Sequence, residues 1–159
     1  MKKGLKKNLK VLLICLLVVY ATAFAGSLFT SSQTNSQWYM SIKPTITPPN
    51  FVFPIAWNIL FFLVALSLYF SWTGAKKKYK LKIALVFGIN FLLNILWSLL
   101  FFGLKKTNLA FFELILLWIS ILSMIFITWK VDKKSAWLLV PYAFWVGFAG
   151  ILNYLTAFG

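Results

Sequence analysis

The side chains best suited to bind a ligand in this sequence are carboxamides and indoles that lie within apolar runs. Asn90, Asn94 and Trp97 follow one another at spacings of i, i+4 and i+7, so a helix would place them on one face. An amide facing lipid would leave donors and acceptors unpaired, so this face is expected to point into a helix bundle. Two interpretations remain open: interhelical hydrogen bonds, or a polar anchor in an aromatic ligand pocket.

Two further tryptophans lie inside other apolar runs. Helical rise places Trp57 about 9 Å from one end of its run and Trp145 about 18 Å deep, near the membrane midplane. Pro141 should kink the last run one turn before Trp145 and help to aim that indole inward. Asn153 is a second candidate for a buried amide. We therefore expect these groups beneath the outer membrane surface, close to Asn94.

The sequence excludes several other kinds of chemistry. It contains no histidine and one cysteine, Cys15, which excludes an internal disulfide, a Cys/His metal site and a histidine-ligated haem. No nucleophile–base pair of ordinary type is present, so no cofactor and no conventional catalytic residue is predicted. Glu113 is the one acid inside an apolar run. It is expected either to pair with Lys105 or Lys106 or to have a function as an intramembrane carboxyl group.

The composition indicates a polytopic helical membrane protein. Of 159 residues, 62% are apolar and 11% charged, against about 25% charged in soluble domains. The apolar runs are continuous rather than alternating, which argues against a barrel. The first run could also be a cleavable signal peptide, but a retained helix is favoured. The predicted fold is a single all-α domain of five transmembrane helices, near residues 9–29, 51–72, 81–102, 108–129 and 136–157.

The lysines predict the topology. Thirteen of the sixteen basic residues, all lysines, lie before the first run or in the second and fourth connections. This bias predicts an N-terminus in the cytoplasm and a C-terminus outside, in the cytoplasmic membrane. Because the lysines form short clusters between apolar runs, they indicate contact with the lipid bilayer and not with nucleic acid.

The first long connection, Trp38 to Pro49, contains Pro44, Pro48 and Pro49. Each proline fixes φ, and each pushes the preceding residue toward extended geometry. The connection is therefore predicted to be semi-rigid, neither helix nor strand, and to cover a pocket between the helices on the outer face.

Four segments together resemble the TspO/MBR family, whose members are called translocator proteins or tryptophan-rich sensory proteins. They are WYMSIKPTITPPNFVFPIAWNIL from Trp38, NFLLNILWSLLFF from Asn90, FFELILLWISIL from Phe111 and SAWLLVPYAFWVGFAGILNYL from Ser135. The resemblance implies a homodimer of five-helix bundles that binds porphyrins, such as protoporphyrin IX, or related tetrapyrrole intermediates. By matching positions it implies a pocket lined by Tyr39, Pro44, Trp57, Asn90, Asn94, Trp97, Phe101, Trp145 and Ala149.

The resemblance leaves the activity open between three functions. A binding or sensor protein is favoured over a transporter of porphyrins, and a transporter over a protein that degrades porphyrin in light. In the last case the tryptophans matching Trp57 and Trp145 are the candidates for the chemistry. The sterol-recognition pattern of animal members needs a basic residue shortly after the tyrosine. Here Tyr154 is followed by none, so this motif does not support sterol binding.

Overall fold

The long apolar runs form helices because a chain in lipid must satisfy every backbone N–H and C=O internally. The computed structural model describes residues 2–159, with side chains from Asn8 onward. Five helices are long and apolar enough to cross a membrane. The elements are α1 (Lys2–Thr30), α2 (Gln37–Ile42), α3 (Val52–Gly74), α4 (Lys77–Ser98), a π-helical turn (Leu99–Gly103), α5 (Thr107–Trp129) and α6 (Lys133–Phe158).

The predicted all-α class with five membrane-spanning helices is confirmed. Both ends of each observed span lie within four residues of the predicted bounds. The largest difference is at the start of α4, which begins at Lys77 instead of residue 81. Lysines are good helix formers and have long side chains that reach water from a helix end. A count of apolar residues alone therefore places the start of such a helix too late.

The prediction that the first connection is neither helix nor strand was wrong for its beginning. Gln37–Ile42 form α2, because the Ser36 side chain caps this helix by accepting a hydrogen bond from the Tyr39 N–H (3.2 Å). The helix ends where Pro44 holds Lys43 in extended geometry, with φ −66° and ψ 121°. The prolines thus shape only the second half of the connection.

The helices pack as an antiparallel bundle in which α6 contacts α3 and α5, α4 contacts α5 and α1, and α1 contacts α3. Two ends result. The lysine-rich end contains the α3–α4 and α5–α6 connections (residues 75–76 and 130–132) and the adjoining first turns of α4 and α6. The loop end contains residues 31–51, the α4–α5 connection and the C-terminus of α6.

Glycines allow α5 and α6 to approach closely. A Cβ added at Gly150 would lie 3.1 Å from Leu114 Cδ2, and one at Gly147 would lie 3.5 Å from Trp118 Nε1. The Trp118 indole N–H donates to the Ala143 carbonyl at 2.9 Å across the same interface. Small residues that permit such contact are a common basis of helix association in lipid.

Replacing Gly150 with leucine should therefore destabilise the bundle by about 1–3 kcal/mol, because the added atoms overlap Leu114. The matched control is Gly88→Leu on α4, where an added Cβ meets no atom within 4 Å. The control should unfold at or above the wild-type temperature, since leucine has the higher helix propensity. Thermal unfolding in detergent measures both, and equal melting temperatures would contradict the packing described.

Candidate functional site

A cavity of about 730 Å³ lies at the loop end of the bundle, between α1, α3, α4 and α6 and beneath residues 31–51. Its lining comes from every one of these elements and is mostly apolar, with amides and hydroxyls interspersed. The volume is in the range of pockets that enclose small organic ligands.

Seven of the nine pocket residues implied by the resemblance line this cavity. They are Tyr39, Pro44, Trp57, Asn94, Trp97, Phe101 and Ala149. The remaining two, Asn90 and Trp145, lie elsewhere: Asn90 is deeper in the bundle and Trp145 borders a separate groove between α3 and α6. The structure thus brings seven of the nine residues to one cavity and places the other two outside its lining.

Two stacked aromatic pairs face the cavity. Trp97 and Phe101 of α4 stack with centroids 5.2 Å apart and planes at 28°, and Trp57 and Phe61 of α3 stack at 5.4 Å and 30°. Each stacked pair places two aromatic rings in the cavity lining, where they form an extended apolar surface. The cavity can therefore accept a flat, apolar molecule against either wall.

A π-helical turn orients the upper part of the α4 wall. At Leu99–Gly103 the hydrogen bonds widen to i→i+5, as in the 2.7 Å bond from Leu104 N–H to the Leu99 carbonyl. Both Phe101 and Phe102 are consequently buried, and Tyr39 of α2 packs on them with centroids 6.4 and 5.5 Å away. The turn thus joins the helix wall to the covering loop.

Beneath the cavity, side-chain hydrogen bonds connect α4, α5 and α6. Asn90 Nδ2 donates to Ser120 Oγ (2.8 Å), Tyr142 Oη donates to Asn90 Oδ1 (3.2 Å), and Asn94 Nδ2 donates to Tyr142 Oη (3.1 Å). We call these four side chains the polar network. The sequence left open whether these amides form interhelical hydrogen bonds or line a ligand pocket. Asn90 forms interhelical hydrogen bonds, whereas Asn94 both belongs to the polar network and lines the cavity.

A second amide completes the cavity wall beside Trp97. Asn153 Oδ1 accepts from the Trp97 indole N–H (3.1 Å), and Asn153 Nδ2 donates to the Thr107 carbonyl (2.9 Å). Asn153 is 1% exposed and lines the cavity, as the sequence suggested for a buried amide. These bonds restrain the orientation of the Trp97 ring, because its Nε1 is bonded to Asn153 and Asn153 is itself bonded to the backbone at Thr107.

Trp145 packs behind the cavity. Its ring meets Phe53, a cavity-lining residue, edge-on at 5.9 Å, and its buried Nε1 has no hydrogen-bond partner among the described residues. Glu113 is also buried, and neither of its carboxyl oxygens has a hydrogen-bond partner in the described part of the chain. Within the described residues Glu113 pairs with neither Lys105 nor Lys106: both lysines are exposed, and Lys105 Nζ lies 5.3 Å from the centre of the Trp38 ring.

The sequence did not predict the contribution of α1. Tyr20, Phe24, Gly26, Ser27 and Thr30 line the cavity from this helix, and Tyr20 Oη donates to the Asn58 carbonyl of α3 at 3.3 Å. The available signal was a group of small and hydroxyl residues near the end of an otherwise aliphatic run. Within residues 8–159 the structure shows no group of three or more His, Cys, Asp or Glu side chains that could hold a metal ion.

One side chain ties the covering loop together. Asn50 Oδ1 accepts from Lys43 Nζ (2.8 Å), while Asn50 Nδ2 donates to the Thr34 carbonyl (3.1 Å) and to Asn35 Oδ1 (3.0 Å). These bonds hold three parts of the loop together beside the cavity, which Asn50 itself lines. Burial raises the pKa of Tyr39, which belongs to α2 in this loop, above its usual value.

Replacing Tyr142 with phenylalanine should destabilise the protein by about 1–3 kcal/mol, because it leaves Asn90 Oδ1 and Asn94 Nδ2 buried without their partner. Tyr154→Phe is the matched control, since Tyr154 is half exposed on the outside of α6. Thermal unfolding in detergent compares the two. A Tyr142 variant as stable as the control would show that the network does not hold the helices together.

Asn50→Ala should loosen the covering loop, because it removes the three hydrogen bonds that join residues 34, 35 and 43. Amide hydrogen exchange across residues 34–50 is expected to accelerate by roughly tenfold, since net hydrogen bonds contribute about 0.5–1.5 kcal/mol each. Thr45→Ala, an exposed position in the same loop, is the control. Unchanged exchange in the Asn50 variant would refute this role.

Comparison with known proteins places the chain. The sequence model of the TspO/MBR family matches residues 14–158. A tryptophan-rich protein TspO from Chlorobaculum tepidum is 36% identical over 135 residues, covering 84% of this chain and 85% of that one. Another from Archaeoglobus fulgidus is 38% identical over 138 residues (84% and 86%), and a translocator protein from Bos taurus is 30% identical over 135 (82% and 79%). The chain belongs to the TspO/MBR family.

Proposed function

We propose that this protein is a membrane-embedded binding or sensor protein for porphyrin-type ligands, such as protoporphyrin IX, and that the cavity at the loop end holds the ligand. The observation that carries the proposal is the pair of stacked aromatic walls, Trp97–Phe101 and Trp57–Phe61, lining one cavity of about 730 Å³. Large flat ligands gain most from such walls, because dispersion and hydrophobic contact grow with the facing area.

The polar groups of the cavity suit the rest of such a ligand. A porphyrin has an apolar ring, pyrrole nitrogens and two acidic side chains. Asn94 and Asn153 lie in the lining, where their amides can meet polar edges. Lys43, held by Asn50 near the mouth, offers a positive charge for a carboxylate. The ligand would thus insert its ring between the helices and keep its acids toward the loop.

Binding is preferred to degradation because of where the two candidate indoles lie. Trp57 lines the cavity, whereas Trp145 contacts Phe53 and borders the separate groove. A ligand in the cavity would meet Trp57 directly and Trp145 only through other side chains. Light-dependent chemistry would therefore depend on Trp57 first.

Transport is the alternative suggested by the name of the cattle relative, a translocator protein. Uptake of added porphyrin by sealed, initially porphyrin-free proteoliposomes distinguishes binding from transport. A binding protein takes up porphyrin only to a fixed ratio of ligand to protein, whereas a transporter also fills the vesicle lumen. We further propose a homodimer in the cytoplasmic membrane with the N-terminus inside. Labelling of single cysteines introduced at each end of the bundle tests that orientation.

Two variants test the binding site by titration with protoporphyrin IX in detergent. Trp57→Phe should weaken binding roughly two- to tenfold, because it shrinks one aromatic wall. Ala149→Phe should weaken it more, at least about tenfold, because the added ring occupies the cavity. Porphyrin absorbance and quenching of tryptophan fluorescence provide two independent readouts.

Trp137→Phe is the control, since Trp137 is 62% exposed at the lysine-rich end, far along α6 from the cavity. Its affinity should equal that of the wild type. Equal affinities in all four proteins, or quenching that does not saturate, would overturn the proposal that the cavity is the porphyrin site.

A further inference from the structure

The lysine-rich end of the bundle is strongly basic. Its two connections lie close together, since a Cβ added at Gly74, the last residue of α3, would lie 3.8 Å from Val131 Cγ1 in the α5–α6 connection. Eight exposed lysines belong to these connections and to the helix turns beside them. They form what we call the lysine surface: Lys76, Lys77, Lys78, Lys80, Lys82, Lys130, Lys133 and Lys134.

The chain's own acids leave this charge uncompensated. The sequence has two acidic residues, Glu113 and Asp132, and Glu113 is buried in α5. Asp132 caps α6: its Oδ1 accepts from the Lys134 backbone N–H (3.0 Å) and its Oδ2 from Ser135 Oγ (3.2 Å). One carboxylate that is already hydrogen-bonded faces eight ammonium groups, so the lysine surface must draw its counter-charges from outside the chain.

The aromatic residues around it set the depth of this surface in a bilayer. Lys80 Nζ lies 5.3 Å from the centre of the Trp72 ring and Lys133 Nζ 5.5 Å from that of Trp129, while Trp129 and Trp137 are 6.1 Å apart. Indoles gather at the level of lipid headgroups, and cation–π contact holds the ammonium groups beside them. The lysines thus lie at the height where lipid phosphates are found.

We propose that the lysine surface is a binding site for anionic phospholipid headgroups, centred where the α3–α4 and α5–α6 connections meet. The phosphates would lie among the ammonium groups, and the acyl chains would extend along the exposed apolar flanks of the helices. Each lysine close to an anionic headgroup strengthens such binding by roughly fivefold. A lipid fits better than a free phosphate, because the tryptophans beside the lysines offer contact to its glycerol and chains.

The test uses the full-length protein in a neutral detergent, so that membrane orientation has no influence. Native mass spectrometry measures the affinities for phosphatidylglycerol and for phosphatidylcholine with identical acyl chains. The wild-type protein is expected to prefer phosphatidylglycerol at least about tenfold. The double variant Lys77→Gln/Lys133→Gln should lose at least about fivefold of that preference, and Lys77→Arg/Lys133→Arg should retain it.

The matched control is Lys105→Gln/Lys106→Gln, which removes the same charge at the loop end and should keep the wild-type preference. Circular dichroism confirms that each variant is folded. The proposal is overturned by equal affinities for the two lipids, by an equal loss in the loop-end control, or by inorganic phosphate displacing phosphatidylglycerol at matched ionic strength. The last result would indicate a small-anion site instead of a lipid site.

Discussion

The structure depends on the requirement that polar groups buried in a bilayer find partners within the protein. Lipid supplies no hydrogen bonds, and it is as apolar as the leucines that face it, so hydrophobicity alone does not fix how transmembrane helices pack. In this bundle the polar network fixes how α4, α5 and α6 pack against one another. Ser120, Asn90 and Tyr142 join α5, α4 and α6 through bonds of 2.8 to 3.2 Å, and a rotation of any one helix would break them.

Fixing α4 also determines the cavity. Asn94 lies one turn above Asn90, so the network that orients Asn90 directs Asn94 and Trp97 into the space beneath the loop. One face of α4 therefore carries three groups with different roles. Asn90 joins helices, Asn94 joins helices and lines the cavity, and Trp97 lines the cavity. The π-helical turn then redirects the chain and buries Phe101 against Tyr39 of the covering loop.

The sequence predicted features that depend on residue type and spacing along one helix. It did not predict features that depend on how each helix is rotated about its own axis. Continuous apolar runs specify spanning helices, and amides at i and i+4 specify an inward face, so the fold and Asn94 were predictable. The helices are apolar on all sides, however, so their pattern does not say which way an isolated indole points. Trp145 thus matched the family pattern yet packs behind Phe53. The contribution of α1 was missed for the same reason.

The prediction that the first long connection contains no helix was wrong for a different reason. The three prolines lie in the second half of the connection, and a proline restricts only its own φ and the residue before it. Six residues upstream of Lys43 remained free to form a helix, and Ser36 was available as the cap. Tyr39 packs on Phe101 because of that turn of helix, so a local capping bond supports the cover of the cavity.

The two sets of bonds around the cavity differ in their exposure to water. The polar network is buried, and breaking one of its bonds leaves unpaired groups in an apolar interior. The bonds of Asn50 are exposed or only partly buried, so water can replace each of them at little cost. Hydrogen bonds therefore oppose displacement of the covering loop less than they oppose separation of the helices. A ligand larger than the opening of the cavity is expected to enter by moving the loop, while the floor of the cavity keeps its shape.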